Sequence, residues 1–294
     1  MEYQKTKEKK KVIILGAKGM LGQELARVFS ANESYEVLAW DREELDITDN
    51  VQAERKIISQ KPNIIINAAA YNAVDKAEED EKEFELAKKL NAQTPKNLAK
   101  IAKKAGAVFV QYVTDYLFDG RKGQYDEKDV PNPISNYGIS KAIGEKNVQE
   151  VGGKYYLVRT SKLFGEPAQS ADAKKSFFEV MLNLTKEKDE LKVIDDEKSC
   201  FTYVPDLASA TKKLVEGKFD FGVYHLVNEN PATWLEGVSE LFKIAGIKNV
   251  KVLPVSAEEF PRAAKRASST VLLNTKFPKL RSYQAALREW LERK

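Results

Sequence analysis

Short apolar runs alternate with segments of helical periodicity along the first two-thirds of the chain. The first run, residues 11–15 (KVIIL), is β-branched and continuously apolar, which is typical of a strand covered on both faces. Similar runs follow it, and strands are predicted at residues 11–15, 35–40, 63–67, 108–113 and 155–159. Strands that alternate with helical segments at this spacing predict an α/β fold, a Rossmann-type doubly wound parallel sheet.

The segments between these runs carry apolar residues on one helical face. Leu21, Leu25 and Phe29 share such a face directly after the first strand. Residues 81–105 are predicted to form one or two long helices, and residues 140–151 a further helix.

The pattern loosens after the fifth predicted strand. Loop-like stretches at residues 166–173 and 195–200 interrupt it, and residues 282–293 are predicted to form an amphipathic helix. We therefore expect a main domain over residues 11–160. Residues 161–294 are expected to form mainly a smaller C-terminal lobe over the carboxyl ends of the strands, with some return to the main domain.

Composition excludes several classes of protein. The 294 residues contain 48 Lys and Arg against 44 Asp and Glu, a balance too even to indicate nucleic-acid or membrane-surface binding. Residues 1–10 are rich in lysine and are expected to form a mobile basic tail. With one cysteine, Cys200, and one histidine, His225, neither an internal disulfide nor a metal site built from Cys or His is expected. No membrane span or signal peptide is recognisable, so a cytoplasmic protein is expected.

A glycine-rich turn follows the first predicted strand and opens the first helix. Gly16, Gly19 and Gly22 have the spacing G-x-x-G-x-x-G, which permits a tight turn and close approach of the backbone to a pyrophosphate. The turn therefore predicts dinucleotide binding by residues 11–160. Asp41 ends the second strand, where an acidic residue accepts from ribose hydroxyls, while Arg42 would suit a 2′-phosphate. Both NADPH and NADH stay open as cofactors.

The candidate catalytic residues lie around the fourth strand and the helix that follows it. Tyr137 and Lys141 are four residues apart and share one helical face. A nearby ammonium is expected to lower the pKa of the phenol, so that Tyr137 can donate a proton to a carbonyl oxygen as hydride reaches the carbon. Lys141 would also bind the nicotinamide ribose. Thr114 closes the fourth strand and could hydrogen-bond the substrate carbonyl.

Several motifs together resemble the dTDP-4-dehydrorhamnose reductase family of extended short-chain dehydrogenases. They are the glycine turn, NAAAY at 67–71, VDKAE at 74–78, TDYLFDG at 114–120, YGISK at 137–141, GEK at 144–146, RTS at 159–161, YHL at 224–226, LLNT at 272–275 and LREWL at 287–291. The resemblance covers nearly the whole chain after the basic tail.

The resemblance implies a catalytic triad of Thr114, Tyr137 and Lys141, with Asn91 in a structural role near them. It implies NADPH- or NADH-dependent reduction of a nucleotide-linked 4-keto-6-deoxy sugar, dTDP-4-dehydro-L-rhamnose to dTDP-L-rhamnose, and a possible homodimer. The implied cofactor contacts are Gly16, Gly19, Met20, Leu21, Gly22, Asp41, Asp46, Ile47, Ala68, Ala69 and Ala70. Two alternatives stay open: a non-catalytic, cofactor-binding regulatory subunit, and a nucleotide-sugar epimerase or dehydratase.

Three departures from the family pattern fall on the expected substrate side. Tyr71 and Asn72 replace the usual His-Thr, and Lys162 replaces a tryptophan in Ser-Trp-x-Tyr. The stretch 195–202 lacks the usual Gln and Pro. His225, Cys200 and the tryptophans Trp234 and Trp290 are interpreted as structural residues.

Overall fold

The computed structural model describes residues 9–169 and 175–294. The strands in this part of the chain are β1 (Lys10–Leu15), β2 (Tyr35–Trp40), β3 (Ile64–Asn67), β4 (Val108–Thr114), β5 (Gly123–Tyr125), β6 (Tyr155–Thr160), β7 (Leu163–Phe164), β8 (Glu190–Ile194), β9 (Lys198–Ser199), β10 (Thr202–Tyr203), β11 (Gly222–His225), β12 (Ala232–Thr233), β13 (Lys251–Val255) and β14 (Thr270–Leu272).

The α-helices carry the connections between these strands. They are α1 (Met20–Ser30), α2 (Asn50–Ser59), α3 (Lys76–Glu79), α4 (Glu81–Lys88), α5 (Thr94–Ala105), α6 (Asn136–Val151), α7 (Phe177–Leu184), α8 (Val204–Glu216), α9 (Trp234–Ala245) and α10 (Tyr283–Glu292). A π-helical turn, Lys89–Gln93, joins α4 to α5.

Six parallel strands form the central sheet in the order β11-β6-β4-β3-β1-β2. The chain moves outward from β1 in both directions, so the sheet has a switch point between β1 and β3. Leu15 pairs with Asn67 there, at the carboxyl ends of both strands. Open parallel sheets bind ligands outside these ends, at the point where the strand order reverses.

Apolar residues on alternate positions of the strands pack under helices on both faces of the sheet. On one face, α1 packs against α8, with Ile14, Leu25 and Leu207 in a shared core. On the other face, α5 packs against α2 and α6, with Ile13 and Leu98 in the core. Burial on both faces explains why the strand sequences are continuously apolar.

A smaller cluster of elements packs beyond the sheet edge. Parallel strands β8 and β13 lie beside α9, and a separate core joins α7, α9 and α10. Trp290 of α10 is fully buried in this core, and its indole nitrogen donates to the carbonyl of Gly165 at 3.1 Å. Chain segments after residue 160 also return to the main sheet, because they supply β11 and α8.

The predicted Rossmann-type architecture is confirmed, and the predicted strands agree with β1, β2, β3, β4 and β6 to within one residue at each end. Residues 81–105 form two α-helices with a π-helical turn between them. The C-terminal helix begins at Tyr283, where the Ser282 hydroxyl accepts from the third helical amide. The predicted mobile tail falls mostly on residues 1–8, which lie outside the described residues, and Lys10 already belongs to β1. Across residues 9–169 and 175–294, no helix is long and apolar enough to span a bilayer.

Candidate active site

The glycine turn closes tightly at the switch point of the sheet. Gly16 has φ +76°, in the left-handed region that favours glycine, and a Cβ there would lie 2.7 Å from the amide nitrogen of Ala69. A Cβ on Gly22 would lie 2.0 Å from the carbonyl oxygen of Gly16. Backbone packing therefore requires glycine at both positions, and the turn holds the start of α1 against the segment after β3.

The start of α1 is open toward this crevice. Gly19 is the N-cap residue, its amide donates to the Gly16 carbonyl at 3.1 Å, and no side chain in the described part of the chain caps the first turn. The side chains of Leu21 and Met20 pack into or against the core, so their backbone amides are what they offer a ligand. An uncapped helix start beside a cradle that any Cβ would fill fits a pyrophosphate.

Asp41 stands at the end of β2, beside the glycine turn. One carboxylate oxygen accepts from the Lys18 amide at 2.8 Å, and the other accepts from the Arg42 amide at 2.8 Å. The Arg42 side chain is exposed, and the Lys18 ammonium pairs with Glu43 at 2.7 Å. Acidic and basic groups thus flank the same end of the crevice, as the sequence indicated.

Asp46 and Ile47 lie just beyond Asp41. The Asp46 carboxylate accepts from the amide and the hydroxyl of Thr48, at 2.9 and 2.8 Å, and these bonds lower the pKa of Asp46. Ile47 is buried in the core with Trp40. Both residues anchor the loop that borders the crevice.

Residues 68–70 form the wall opposite the glycine turn. The Ala68 amide donates to the carbonyl of Leu15 at 2.9 Å, and the Ala69 amide donates to the side chain of Asn67 at 3.2 Å. All three alanines are partly exposed. Residue 69 packs directly on Gly16, and the small side chains of this wall allow the two backbone segments to approach closely.

Tyr137 lies at the start of α6, where the Ser135 hydroxyl accepts from the Gly138 amide at 3.1 Å. Its ring packs edge-on against Tyr116, with 5.4 Å between the ring centroids, and its hydroxyl donates to Asn72 at 3.4 Å. Burial raises the pKa of Tyr137 above its usual value, and the nearby Thr114 hydroxyl partly opposes that shift.

Lys141 lies one helical turn after Tyr137 and is buried. Its ammonium donates to the carbonyl oxygen of Tyr112 on β4 at 3.1 Å, and burial lowers its pKa to about 8. The expectation that this ammonium lowers the pKa of Tyr137 is wrong for this arrangement, because desolvation of the phenol outweighs other influences on it. At neutral pH both groups therefore hold their protons.

Thr114 ends β4 and lies within reach of the same site. Its hydroxyl donates to Asp115 at 3.2 Å and accepts from the Tyr116 amide at 3.3 Å. The residue thus caps the turn after β4, and its hydroxyl lies close enough to Tyr137 to oppose part of the rise in the pKa of the phenol.

Thr114 and Tyr137 line one cavity of about 210 Å³. Its wall combines segments that are far apart in sequence: Asn72, Val74, Thr114, Asp115, Tyr116, Phe118, Ile134, Ser135, Tyr137, Lys162, Glu197, Lys198, Ser199, Trp234, Lys265, Arg266, Ala267 and Thr270. All three departures from the family pattern contribute to this wall, through Asn72, Lys162 and residues 197–199. Trp234, interpreted from the sequence as a packing residue, packs against Phe177 and lines the cavity as well.

Asp115 is a cavity residue that was not singled out from the sequence, although it lies in the TDYLFDG motif. Its carboxylate accepts from the hydroxyls of Thr270 and Ser161, at 2.7 and 2.8 Å, besides that of Thr114. Burial raises the pKa of Asp115, and these hydroxyls oppose the shift. The carboxyl group ties three segments together at the base of the cavity.

Asn91 holds the helices around the site. Its side-chain amide exchanges two hydrogen bonds of 3.0 Å with the backbone of Tyr71 and donates to the Ser140 hydroxyl at 3.0 Å. The backbone carbonyl oxygen of Asn91 packs so closely on α6 that a Cβ on Gly144 would lie 1.9 Å from it. The structural role implied for Asn91 is therefore to set α6, with Tyr137, against the loop that carries Asn72.

His225 and Cys200 are both buried outside the cavity. The His225 ring lies 3.0 Å from the Leu273 carbonyl and 3.3 Å from Arg159, and burial lowers its pKa to about 4. The Cys200 thiol contacts the Leu272 carbonyl, and burial raises its pKa to about 12. A thiol with so high a pKa is unreactive at neutral pH.

The chain is similar to proteins of one family over nearly its whole length. A family model described as the RmlD substrate binding domain matches residues 10–294. A dTDP-4-dehydrorhamnose reductase of Aggregatibacter actinomycetemcomitans is 36% identical over 277 residues, covering 90% of this chain and 91% of that protein.

Solved structures of such reductases have the same fold. The crystal structure from Clostridium acetobutylicum is 39% identical, with a TM-score of 0.88, and covers 96% of this chain and 98% of that one. The structure from Bacillus anthracis, in complex with NADP, is 36% identical, with a TM-score of 0.90, and covers 97% of this chain and 100% of that one. On the fold, the motifs and these likenesses, the chain belongs to the dTDP-4-dehydrorhamnose reductase family.

Proposed function

We propose that this protein reduces the C4 keto group of a nucleotide-linked 4-keto-6-deoxy sugar with NADPH or NADH, converting dTDP-4-dehydro-L-rhamnose to dTDP-L-rhamnose. The observation that carries the proposal is that Thr114 and Tyr137 line one cavity at the carboxyl ends of the strands. The glycine turn that would hold the dinucleotide also lies at the carboxyl ends of the strands, directly after β1. A carbonyl group bound in this cavity would lie near two hydroxyl groups, at the carboxyl ends of the strands, where parallel sheets bind ligands.

The cofactor would bind along the crevice that the glycine turn opens. The backbone of Gly16, Gly19, Met20, Leu21 and Gly22 would hold the pyrophosphate. Asp41 and Arg42 would lie toward the adenosine ribose, residues 46–47 and 68–70 would border the crevice, and Tyr137 and Lys141 would lie at the nicotinamide end. The reduced nicotinamide, when bound, supplies the hydride.

Tyr137 acts in this proposal as the general acid. The phenol is protonated at neutral pH, both at its ordinary pKa of about 10 and at the raised one, and can donate to the carbonyl oxygen as negative charge develops there. The Thr114 hydroxyl, which donates to Asp115 in this structure, would rotate to donate a second hydrogen bond to that oxygen. Lys141, whose pKa of about 8 keeps it mainly cationic at neutral pH, would bind the nicotinamide ribose.

The dimensions of the cavity suit the sugar part of such a substrate. Sites for drug-sized ligands typically measure about 300–1,000 Å³, and this cavity of about 210 Å³ is smaller. Its wall mixes aromatic groups (Tyr116, Trp234) with hydrogen-bonding groups (Asp115, Lys162), which is a suitable lining for a hydroxylated ring. The nucleotide would extend out of the cavity.

The proposal is tested by following NADPH and NADH oxidation with dTDP-4-dehydro-L-rhamnose generated in situ. Tyr137→Phe is expected to lower kcat by about 10²–10⁴-fold, because only the proton donor is removed. Tyr155→Phe, at the opposite end of β6 from the cavity, is the matched control and should keep its activity. Tyr155→Phe should leave cofactor affinity unchanged, and Tyr137→Phe should still bind the cofactor.

Two other results would point to different functions. If the wild type binds cofactor but turns over neither this substrate nor other nucleotide-linked ketosugars, the reductase proposal fails and the regulatory-subunit alternative becomes stronger. If the protein purifies with a tightly held nicotinamide cofactor and interconverts sugars without net oxidation of added NADPH, the epimerase alternative applies.

A further inference from the structure

Lys162 occupies the position where the family pattern has a tryptophan. It follows β6 directly and has φ +40°, a left-handed backbone conformation that residues other than glycine adopt only when the surrounding structure holds them there. The turn directs the side chain toward the cavity, whose wall includes Lys162. The replacement therefore puts an ammonium group where the family has an apolar ring.

The ammonium lies against aromatic faces. Its nitrogen is 3.9 Å from the ring centroid of Trp234 and 4.8 Å from that of Phe201. Cation–π attraction of this kind holds the charge at a fixed place in the cavity wall. Trp234 is itself held, because its indole nitrogen donates to Glu197 at 3.0 Å.

The hydrogen-bonding capacity of Lys162 is only partly used. Its ammonium has three donors, and its contacts within the described residues are the carbonyls of Ala232 and Glu197, at 3.3 and 3.5 Å. The nearby carboxylates are engaged elsewhere: Glu197 pairs with Arg262, and Asp115 accepts from hydroxyl groups. One ammonium proton therefore stays available to an acceptor inside the cavity.

We propose that Lys162 is a specificity-determining residue that donates a hydrogen bond to a hydroxyl oxygen of the bound sugar, against the face of Trp234. This inference rests on the proposed function and extends it to sugar selection. A neutral hydroxyl suits the site better than a carboxylate, because Asp115 and Glu197 in the same wall would repel a further anion. A hydroxyl can accept from Lys162 and donate to an acidic neighbour.

The consequence is discrimination against sugars that lack this hydroxyl. A site built to hydrogen-bond a substrate hydroxyl rejects the deoxygenated analogue, because the buried protein group is left without a partner. With tryptophan at position 162, this particular source of selectivity is lost. Lys162 therefore predicts a different preference among 4-keto sugars from that of family members with the tryptophan.

Calorimetric titration with dTDP-L-rhamnose and with dTDP alone tests the role of Lys162 without requiring turnover. Lys162→Met is expected to weaken dTDP-L-rhamnose binding about ten- to a hundredfold and to leave dTDP binding unchanged. Lys192→Met, on the exposed edge of β8, is the matched control and should change neither. Lys162→Gln, which keeps a hydrogen-bond donor, should recover part of the affinity for dTDP-L-rhamnose. It also tests the proposal if the methionine variant folds poorly.

Three outcomes would overturn the proposal: equal dTDP-L-rhamnose affinity in the wild type and in both Lys162 variants, parallel loss of dTDP and dTDP-L-rhamnose affinity, or a wild type that binds the sugar nucleotide no more tightly than dTDP. Sugar-specific binding without turnover would remove the reductase proposal and leave the role of Lys162 intact. Where turnover occurs, analogues that each lack one ring hydroxyl should be poor substrates of the wild type. For one of them, Lys162→Met should abolish the discrimination.

Discussion

The two sides of the candidate active site are built in different ways. The cofactor side consists largely of backbone: a seven-residue turn, the start of α1 and three alanines after β3. The sugar side consists of side chains from seven separate parts of the chain, held by a buried carboxyl group and an ammonium on an aromatic ring. Recognition by the backbone requires that no Cβ atoms block the close approach of the ligand or of neighbouring chain segments. Side-chain recognition depends on which distant groups the fold brings together.

The largest expected effect comes from adding one carbon atom on the cofactor side. In Gly22→Ala the new Cβ would lie 2.0 Å from the Gly16 carbonyl oxygen, so the turn and α1 must separate. We expect a loss of about 3 kcal/mol in unfolding free energy and loss of NADPH binding, measured by denaturant titration and fluorescence. Gly106→Ala is the control, because its Cβ would meet no atom within 4 Å and only its φ of +69° opposes it. Equal effects of the two changes would contradict this account of the turn.

Lys141, which is buried, and Lys162, which is partly buried, allow the cofactor side and the sugar side to be compared through the pH dependence of stability. Burial lowers the pKa of Lys141 and of Lys162 to about 8, so between pH 8 and 10.5 the unfolded chain binds more protons than the folded one. Stability contributed through these groups therefore rises with pH across that window, and below pH 8 each ammonium costs up to about 3 kcal/mol. Lys141→Met and Lys162→Met should each be more stable than the wild type at pH 7. The difference should shrink toward pH 10.5.

Urea titrations of the three proteins between pH 7 and 10.5 check this prediction. Tyrosine ionisation at high pH is common to all three and cancels in the difference. A stability difference that stays constant over the range would mean that the lysines titrate alike in the folded and unfolded chains. The Lys141 variant should lose activity, while the Lys162 variant should lose sugar selectivity.

Removing the Asp115 carboxyl group is the most direct test of whether the sugar side and the cofactor side bind their ligands independently. Asp115→Ala leaves the hydroxyls of Ser161 and Thr270 without their acceptor, at a cost of about 2 kcal/mol in unfolding free energy. We expect weaker dTDP-L-rhamnose binding and unchanged NADPH binding, both measured by calorimetry. Simultaneous loss of both ligands would show that the sides are not independent.

The smallest effect is expected at the exposed end of the cofactor crevice. The Lys18 ammonium pairs with Glu43 at 2.7 Å, and Glu43→Gln would release it toward a 2′-phosphate. We expect a few-fold rise in NADPH affinity and no change for NADH, because surface ion pairs are weak. The rise should vanish at high salt, and Glu36→Gln, on the outer edge of β2, is the control. Equal gains for both cofactors would exclude a phosphate effect.

Local sequence patterns were sufficient to predict much of the fold of this protein. β-branched runs predicted the parallel strands of the first part of the chain, because strands buried on both faces must be apolar throughout. The glycine spacing predicted the cradle, since a tight turn and a helix start are local backbone requirements. Residues 161–294 were less predictable from local pattern, because strands of two residues such as β7, β9, β10 and β12 carry no periodicity.

The sequence by itself determined the family, the Rossmann-type sheet, the glycine turn and the helix that places Tyr137 and Lys141 on one face, since all of these depend on short-range geometry. The tertiary structure decided the ionisation of Tyr137 and Lys141, because desolvation depends on what packs around a group. It also decided that Asp115, Lys162, Trp234 and Arg266 share one cavity. Residues so far apart in sequence meet only after the sheet, α9 and the C-terminal segment have packed together, and no local pattern encodes that meeting.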